Sequence, residues 1–231
     1  LLKNIRKPSM KTCGTDMNIT NDSVTQYING FYTPLDDSLS ELRAKAEDAH
    51  VPIILKETES FLGFIIRLLQ PAKILEIGTA VGYSSSFFAK LGADVISVEK
   101  DETVAKQAKF NIESLGLSGK IQIFTGDGEE VIKSLSKDLC DFDMVFIDAA
   151  KSHYKRFLDA SLPLCKDGAV IISDNVLLKA ATASDEFDPN GRFKTNIKKM
   201  RQYLNYISEH PDLDTVVLSC GDGLALSRYR K

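Results

Sequence analysis

The feature that most constrains the fold is an alternation of short apolar segments and longer helical segments from Lys73 onward. Five segments rich in β-branched and aromatic residues are separated by stretches of helix-forming residues: KILEI, DVISVE, KIQIFTG, FDMVFID and GAVIISD. Because such alternation is typical of strands that pair in parallel beneath helices, it predicts a mostly parallel sheet covered on both faces. Two further segments, DTVVLSC and GLALSRY, meet at a Gly-Asp-Gly turn and predict an antiparallel edge. We therefore expect an α/β fold with a seven-stranded sheet.

The segment before this alternation has helical spacing. Residues 22–70 contain three amphipathic stretches, which start at an N-cap at Asp22 or Ser23 and end before Pro71. We expect them to be a helical extension of one domain that spans 22–231 and has its core over 71–231. Residues 1–21 are polar and without pattern, so we expect a flexible N-terminal segment.

Composition narrows the class of protein. The 231 residues are 43% hydrophobic and 26% charged, and no apolar run approaches the roughly 18 residues that a membrane span needs. The four cysteines are scattered, and no apolar leader is evident, so we expect a cytoplasmic protein with reduced thiols and no membrane partner. The net charge of −3 argues against nucleic-acid binding as a bulk property, although 191–202 and 227–231 are locally basic.

Polar signals follow each of the five predicted parallel strands. They are Glu76 with the loop Gly78–Gly82, then Glu99, then Gly126-Asp127-Gly128, then Asp148, then Asp174-Asn175. In open α/β sheets, ligands bind beyond the carboxyl ends of the strands. We therefore expect these residues to form one site at that edge.

The first of these loops points to a nucleoside cofactor. Its sequence GTAVG lacks the GxGxxG spacing of dinucleotide sites, and no GKS or GKT follows it. Glu99 lies about 20 residues beyond the loop, where a carboxylate accepts hydrogen bonds from a ribose diol. A nucleoside without an essential phosphate fits best, which indicates S-adenosylmethionine. Glu76 is then expected to meet the cofactor's ammonium group; the alternative is a helix cap or a surface ion pair.

A second group of strand-end residues points to a metal. Asp148, Asp174 and Asn175 supply only hard oxygen ligands, which suit Mg²⁺ or Mn²⁺; alternatively they are a turn and a helix cap. Lys151 is a candidate base if a cation and partial burial lower its pKa, and a surface lysine otherwise. His153 is a weaker candidate for the same role; the favoured alternative is a solvent-exposed residue at the start of a helix.

The order of motifs resembles the cation-dependent O-methyltransferase family, which includes catechol and caffeoyl-coenzyme-A methyltransferases. The motifs are EIGTAVGYSS, VISVEKDE, GDGEEVI, FDMVFIDAAKSHY, GAVIISDNVL and GDGLALSRY, and the resemblance covers residues 22–230. It implies a Rossmann-like class I methyltransferase fold, metal ligation by Asp148, Asp174 and Asn175, and Lys151 as general base. The cofactor contacts that it implies, together with those argued above, are Ile54, Glu76, Gly78, Thr79, Tyr83, Ser84, Glu99, Gly128, Glu129 and Asp148. Asp127 is explained equally well as a helix N-cap.

A closer resemblance is to the bacterial tRNA 5-hydroxyuridine methyltransferases, which make 5-methoxyuridine at the wobble position. It is carried by HVPI, EIGTAVGYS, FIDAAK, SDNVLLKA, YLNYISEHPD and GDGLALS. The 5-hydroxyl of that base lies beside the 4-carbonyl oxygen, and neighbouring oxygens favour chelation. The resemblance implies the tRNA anticodon region as substrate, with a small catechol-like phenol as the alternative. Related enzymes are commonly dimers, so we expect a homodimer.

The acceptor side of the expected site departs from the plant enzymes. Leu178-Lys179 stand where plant caffeoyl-type enzymes typically read Trp-Asn, which argues against a coenzyme-A ester. Lys179 is expected to meet an RNA phosphate or the uracil; the alternative is a solvated loop lysine. A basic helix could supply a phosphate-binding surface through Arg192, Lys194, Lys198, Lys199 and Arg201. Helical spacing aligns Lys194, Lys198 and Arg201, and an ordinary solvated helix face is the alternative.

Overall fold

The computed structural model describes residues 19, 21–135 and 139–231. The expected flexible segment 1–21 lies outside these residues except for Ile19 and Asn21. Within the described residues the strands are β1 (Lys73–Ile77), β2 (Asp94–Glu99), β3 (Ile121–Thr125), β4 (Phe142–Ile147), β5 (Cys165–Ser173), β6 (Leu213–Leu218) and β7 (Leu224–Tyr229). The α-helices there are α1 (Asp22–Asn29), α2 (Asp37–Asp48), α3 (Lys56–Leu69), α4 (Tyr83–Lys90), α5 (Glu102–Ser114), α6 (Gly128–Ser134), α7 (Tyr154–Ser161) and α8 (Lys194–Glu209).

The strands form one seven-stranded sheet in the order β3-β2-β1-β4-β5-β7-β6. Strands β1 to β5 pair in parallel, whereas β7 runs antiparallel to both β5 and β6. The predicted α/β fold with an antiparallel edge is confirmed. The strand order reverses between β1 and β4, and ligands bind at such a switch point in open α/β sheets.

Each face of the sheet has its own hydrophobic core. Alternate residues of β1 face opposite sides, so Leu75 and Ile77 pack with α6, α7 and α8. Ile74 packs instead with α2, α3, α4 and α5. Glu76 alternates with Leu75 and Ile77 and therefore faces the α2–α5 side, where a carboxylate must find polar partners within a hydrophobic core.

The N-cap of the first helix precedes both of the predicted positions. The N-cap of α1 is Asn21, whose side chain accepts a hydrogen bond from the Ser23 backbone amide at 2.9 Å. The expected cap, Asp22 or Ser23, is wrong, because both residues already have helical positions in the first turn. Helix α3 ends with Gln70 as its C-cap in a left-handed conformation. This end lies directly before Pro71, as the proline predicts.

No helix in the described ranges is both long enough and apolar enough to cross a membrane. The longest, α8, has 16 residues and buries only one face, through Ile197, Met200, Tyr203 and Ile207.

Candidate active site

The loops after β1 and β4 come into close contact at the switch point. Gly78 has a φ of 102°, and a Cβ atom there would lie 2.1 Å from the carbonyl oxygen of Asp148. The Asp148 amide donates to the Ile77 carbonyl oxygen at 3.0 Å, which extends the sheet pairing into the loops. A side chain at position 78 would separate the two loops, so this part of the site requires glycine.

Glu76 lies beneath the glycine loop and is completely buried. One carboxylate oxygen accepts hydrogen bonds from the hydroxyls of Ser85 and Ser97. The other, Oε1, has no hydrogen-bond partner among the described residues. Burial, with a smaller contribution from the negative charge of Asp148, raises the pKa of Glu76 to about 7. The hydrogen bonds from serine hydroxyls act in the opposite direction. Glu76 is therefore neither the surface residue nor the helix cap of the alternative interpretation.

Two joined cavities open at this edge of the sheet. The larger has a volume of about 600 Å³ and the smaller about 290 Å³. Both are lined by Gly78, Ala80, Asp148 and Ala149, so the glycine loop forms their common boundary. Several residues that the sequence assigned to the cofactor line the larger cavity: Ile54, Gly78, Thr79, Tyr83, Ser84 and Asp148.

The smaller cavity is bounded by Glu99 and by the turn before α6. The Glu99 carboxylate accepts hydrogen bonds from the backbone amides of Ala80 and Asp101, each at 3.0 Å, which fixes its orientation. Gly128 lines this cavity, and a Cβ atom there would lie 2.7 Å from the Phe157 ring. The missing side chain therefore allows the Phe157 ring to pack against the Gly128 backbone.

Glu129 does not line the smaller cavity, although the sequence placed it there. Its carboxylate instead pairs with Lys133 at 2.6 Å and with Arg156 at 3.5 Å. Asp127 is the N-cap of α6 and also pairs with Arg156, at 2.7 Å. The helix-cap interpretation of Asp127 is thus confirmed.

Lys151 connects the proposed metal ligands. Its Nζ atom lies 2.8 Å from Asp148 Oδ1, 2.6 Å from Asn175 Oδ1 and 2.9 Å from the Tyr154 hydroxyl. Burial acts to lower the pKa of Lys151, but the Tyr154 hydroxyl and the Asp148 carboxylate outweigh it and raise the pKa above its usual value. The structure thus holds Lys151 as an ammonium and not as the amine that a base requires.

The oxygen atoms around Lys151 fit a divalent cation. Asp148 and Asn175 already share one positive charge at hydrogen-bond distance. Asp174 is buried beside them, and within the described ranges its Oδ2 atom has no hydrogen-bond partner. Burial and the neighbouring Asp148 carboxylate raise the pKa of Asp174, which indicates unbalanced negative charge. In the described part of the chain no three His, Cys, Asp or Glu residues gather as a ligand set, so a cation held here would need the Asn175 amide as its third ligand.

Comparison with known proteins decides the family. Residues 32–230 match the family model described as O-methyltransferase. This chain belongs to that family.

Individual relatives agree with that membership. The catechol O-methyltransferase of Niastella koreensis is 33% identical over 162 residues, which cover 68% of this chain and 73% of the relative. The structure of a candidate caffeoyl-CoA O-methyltransferase from Staphylococcus aureus matches with a TM-score of 0.84 at 31% identity, covering 90% of this chain and 100% of that one. An O-methyltransferase from Bacillus cereus, solved in complex with SAH, matches with a TM-score of 0.77 at 26% identity, covering 90% and 97%. The expectation of an O-methyltransferase is confirmed.

The acceptor side of this O-methyltransferase agrees only in part with the sequence analysis. Lys179 is exposed and lines the larger cavity. Lys194, Lys198 and Arg201 do line one groove on α8. However, Arg201 bonds the carbonyl oxygen of Thr182 at 2.8 Å and the carboxylate of Asp185 at 2.8 Å. These contacts engage the Nε and Nη2 atoms of its guanidinium, so Arg201 has a structural role in holding the loop before α8.

Asp222 was missed as a site residue. It lines the larger cavity, and its Oδ1 atom accepts a hydrogen bond from the Lys179 backbone amide. The sequence analysis used the Gly-Asp-Gly segment as a turn and as part of a family motif, but assigned Asp222 no role in the site. A signal was present, because β7 runs antiparallel to β5, so a turn that precedes β7 must lie at the edge where β5 ends.

Proposed function

We propose that this protein transfers the methyl group of S-adenosylmethionine to a hydroxyl oxygen with the help of Mg²⁺ or Mn²⁺. The observation that carries the proposal is the convergence of Asp148 and Asn175 oxygens on Lys151 Nζ, beside the two joined cavities. Asp148, Asp174 and Asn175 are the residues we expect to hold the cation. A divalent cation there would lower the pKa of the acceptor hydroxyl and fix its position.

The cofactor is proposed to extend across both cavities. The bound SAH of the Bacillus cereus relative supports this choice of ligand. Glu99, held by two backbone amides, is oriented to accept hydrogen bonds from both ribose hydroxyls. Beneath the other end, the unpartnered Oε1 atom of Glu76 can accept a hydrogen bond from the cofactor's ammonium group.

Lys151 is proposed as the base that takes the proton of the acceptor hydroxyl. Its amine can do so once Asp148 and Asn175 no longer hold it as an ammonium. The hydroxyl oxygen then forms a bond to the methyl carbon. The carbon–sulfur bond breaks, and its electron pair remains on sulfur. Tyr154, whose hydroxyl donates to the Asp174 carbonyl oxygen at 2.9 Å, orients Lys151.

The acceptor that we propose is 5-hydroxyuridine at the wobble position of tRNA. Its 5-hydroxyl and 4-carbonyl oxygens form the adjacent pair that a divalent cation can chelate. Lys179 at the cavity mouth and the exposed Lys194 and Lys198 on α8 could contact phosphates. Asn175 and Lys179 belong to the segment SDNVLLKA, which carries part of the likeness to tRNA methyltransferases, and both line the larger cavity.

A small catechol is the second candidate acceptor. It offers the same pair of neighbouring oxygens, and a relative at 33% identity is named a catechol O-methyltransferase. Both candidates use the same proposed cation site and base, so they differ only in what lies at the cavity mouth.

The first experiment measures transfer of radiolabelled methyl from S-adenosylmethionine to tRNA carrying 5-hydroxyuridine and, separately, to catechol. We expect label in the tRNA, and loss of that label when a chelator removes divalent cations. Label only in catechol would replace the proposed acceptor by the second candidate. Full activity in excess chelator would refute the cation-assisted mechanism.

Variants test the assigned residues in the same assay. Lys151→Ala should lower kcat by about 10²–10⁴-fold, the usual contribution of a positioned base. Asp148→Ala should abolish turnover while circular dichroism shows an intact fold. Asp94→Ala is the matched control, because this exposed carboxylate lies at the opposite end of β2 and pairs only with Lys120 in the described contacts. Equal losses in Asp94→Ala and Asp148→Ala would contradict the assignment.

A further inference from the structure

The loop after β5 has an unusual backbone for a segment without glycine. Four of its residues have positive φ angles: Asn175 (55°), Leu178 (47°), Lys179 (54°) and Ala180 (68°). A non-glycine residue adopts such an angle at a cost in free energy and keeps it only where its surroundings enforce it. Asn175 and Lys179 both line the larger cavity. The strained residues therefore lie where the acceptor must enter, and something must hold them there.

The turn before β7 supplies that restraint. The amide of Val176 donates to the Gly223 carbonyl oxygen, and the amide of Leu177 donates to the Asp222 carbonyl oxygen, each at 3.0 Å. The Asp222 carboxylate accepts a third hydrogen bond, from the Lys179 amide. This last contact is the one made by a side chain, and it holds a residue in the centre of the strained run.

The turn is itself fixed between α3 and the loop. The Gly221 amide donates to Glu57 Oε2 at 3.1 Å. A Cβ atom at Gly221 would lie 2.4 Å from Thr58 Oγ1, and one at Gly223 would lie 2.4 Å from Leu177 Cγ. Both glycines also have positive φ angles. Asp222 thus projects from a turn that cannot shift easily, which suits it to hold a strained neighbour.

We propose that Asp222 is a positioning residue for the acceptor. Its carboxylate holds the 175–180 loop in its strained form, so that the Asn175 amide and the Lys179 side chain remain at the cavity. The inference rests on the proposed methyl transfer at this cavity. We expect the effect on the acceptor to exceed any effect on the cofactor, because Gly78 and Glu99, which we assign to the cofactor, are held by contacts that do not involve this turn.

Hydrogen exchange tests the restraint without any activity measurement. In Asp222→Ala, the Lys179 amide loses its acceptor, so the amides of 176–180 should exchange faster than in the wild type. Asp222→Asn retains a side-chain oxygen and should keep most of the protection. Asp185→Ala is the control, since it removes an exposed partner of Arg201 farther along the same loop. Unchanged exchange in Asp222→Ala would overturn the proposal.

Kinetics then test the positioning role with whichever acceptor, tRNA or catechol, the wild type labels. Asp222→Ala should raise the KM for the acceptor at least about tenfold, as expected for a lost charge-assisted hydrogen bond. The dissociation constant for S-adenosylmethionine should not change, and Asp222→Asn should restore most of the acceptor KM. An equal defect in the Asn and Ala variants, or an equal loss of cofactor binding, would overturn the proposal. Absence of methyl transfer in the wild type would refute the proposed function. Hydrogen exchange would still test whether Asp222 holds the 175–180 loop.

Discussion

At the scale of single residues, Glu76 combines complete burial with an incomplete set of hydrogen bonds. Its Oε2 atom accepts from two serine hydroxyls, whereas Oε1 has no partner. Because water is excluded, the charged carboxylate is disfavoured and its pKa rises to about 7. A positive charge near Glu76 would therefore stabilise its ionised carboxylate.

This shift predicts how stability depends on pH. The unfolded chain ionises Glu76 near its ordinary pKa of 4.5, but the folded chain retains the proton until about pH 7. Between these values the folded state binds more protons, so stability falls as pH rises through this window and then levels off. The difference of pKa corresponds to on the order of 3 kcal/mol.

Urea unfolding of wild type and Glu76→Gln from pH 4.5 to 8, without ligand, checks this expectation. As pH rises, the unfolding free energy of the wild type should fall relative to that of Glu76→Gln. Glu102→Gln serves as the control, because that carboxylate is exposed and paired only with exposed Lys106 in the described contacts. Parallel curves for wild type and Glu76→Gln would contradict the account.

At the scale of elements, the helical extension is tied to the cofactor side by a buried ion pair. Arg43 of α2 pairs with Glu59 of α3, and both side chains are almost fully buried. Arg43 also donates to the Ile54 carbonyl oxygen at 2.9 Å, and the Tyr83 hydroxyl donates to Glu59 Oε2 at 2.7 Å. Since Ile54 and Tyr83 line the larger cavity, the pair orients part of that cavity's wall.

We expect Arg43→Met to lower the free energy of unfolding by about 3–5 kcal/mol, because it leaves the buried Glu59 carboxylate with tyrosine hydroxyls but without its arginine. The double variant Arg43→Met/Glu59→Gln should recover part of this loss. Glu47→Gln is a matched control, since Glu47 pairs with the same arginine but is 50% exposed and should change stability by only about 0–1 kcal/mol. Denaturant unfolding measures all three, and equal effects of Arg43→Met and Glu47→Gln would refute the role of burial.

The elements differ in how far the sequence could predict them. Strand β1 was predictable, because KILEI is a short β-rich run that ends in a glycine loop. The gathering of Asp148, Asp174 and Asn175 followed from it, since parallel strands end at one edge. The 175–180 loop was not predictable, because non-glycine residues there adopt conformations that only the distant turn at 221–223 enforces.

Contacts between distant segments also explain why the sequence predicted the basic helix α8 only in part. Helical spacing correctly aligned Lys194, Lys198 and Arg201. It could not reveal that Arg201 binds Asp185 and two carbonyl oxygens, because those partners lie on a loop without periodic pattern. Sequence periodicity reports which residues share a face of a helix, and tertiary contacts decide what that face does.

At the scale of the whole molecule, exposed apolar side chains on α1 and α3 are relevant to assembly. These two helices contact each other. Exposed apolar residues here include Tyr27 on α1, Phe31 just beyond the end of α1, and Phe64 and Leu68 on α3. The rings of Tyr27 and Phe31 pack edge to face with their centroids 5.1 Å apart. Large exposed apolar groups in neighbouring elements are typical of protein interaction surfaces. A second copy of this chain is the partner that the sequence analysis led us to expect.

We therefore predict a homodimer that uses this surface. Light scattering coupled to size-exclusion chromatography should give twice the 25.5 kDa of one chain. The double substitution Phe64→Asp/Leu68→Asp places two charges one helical turn apart on the outer face of α3, so burying that face between copies would desolvate both charges, and the mass should fall to that of one chain. Phe110→Asp on α5 is the matched control, because Phe110 is 63% exposed against 64% for Phe64. A wild-type mass of one chain, or equal dissociation by Phe110→Asp, would contradict a dimer through α1 and α3.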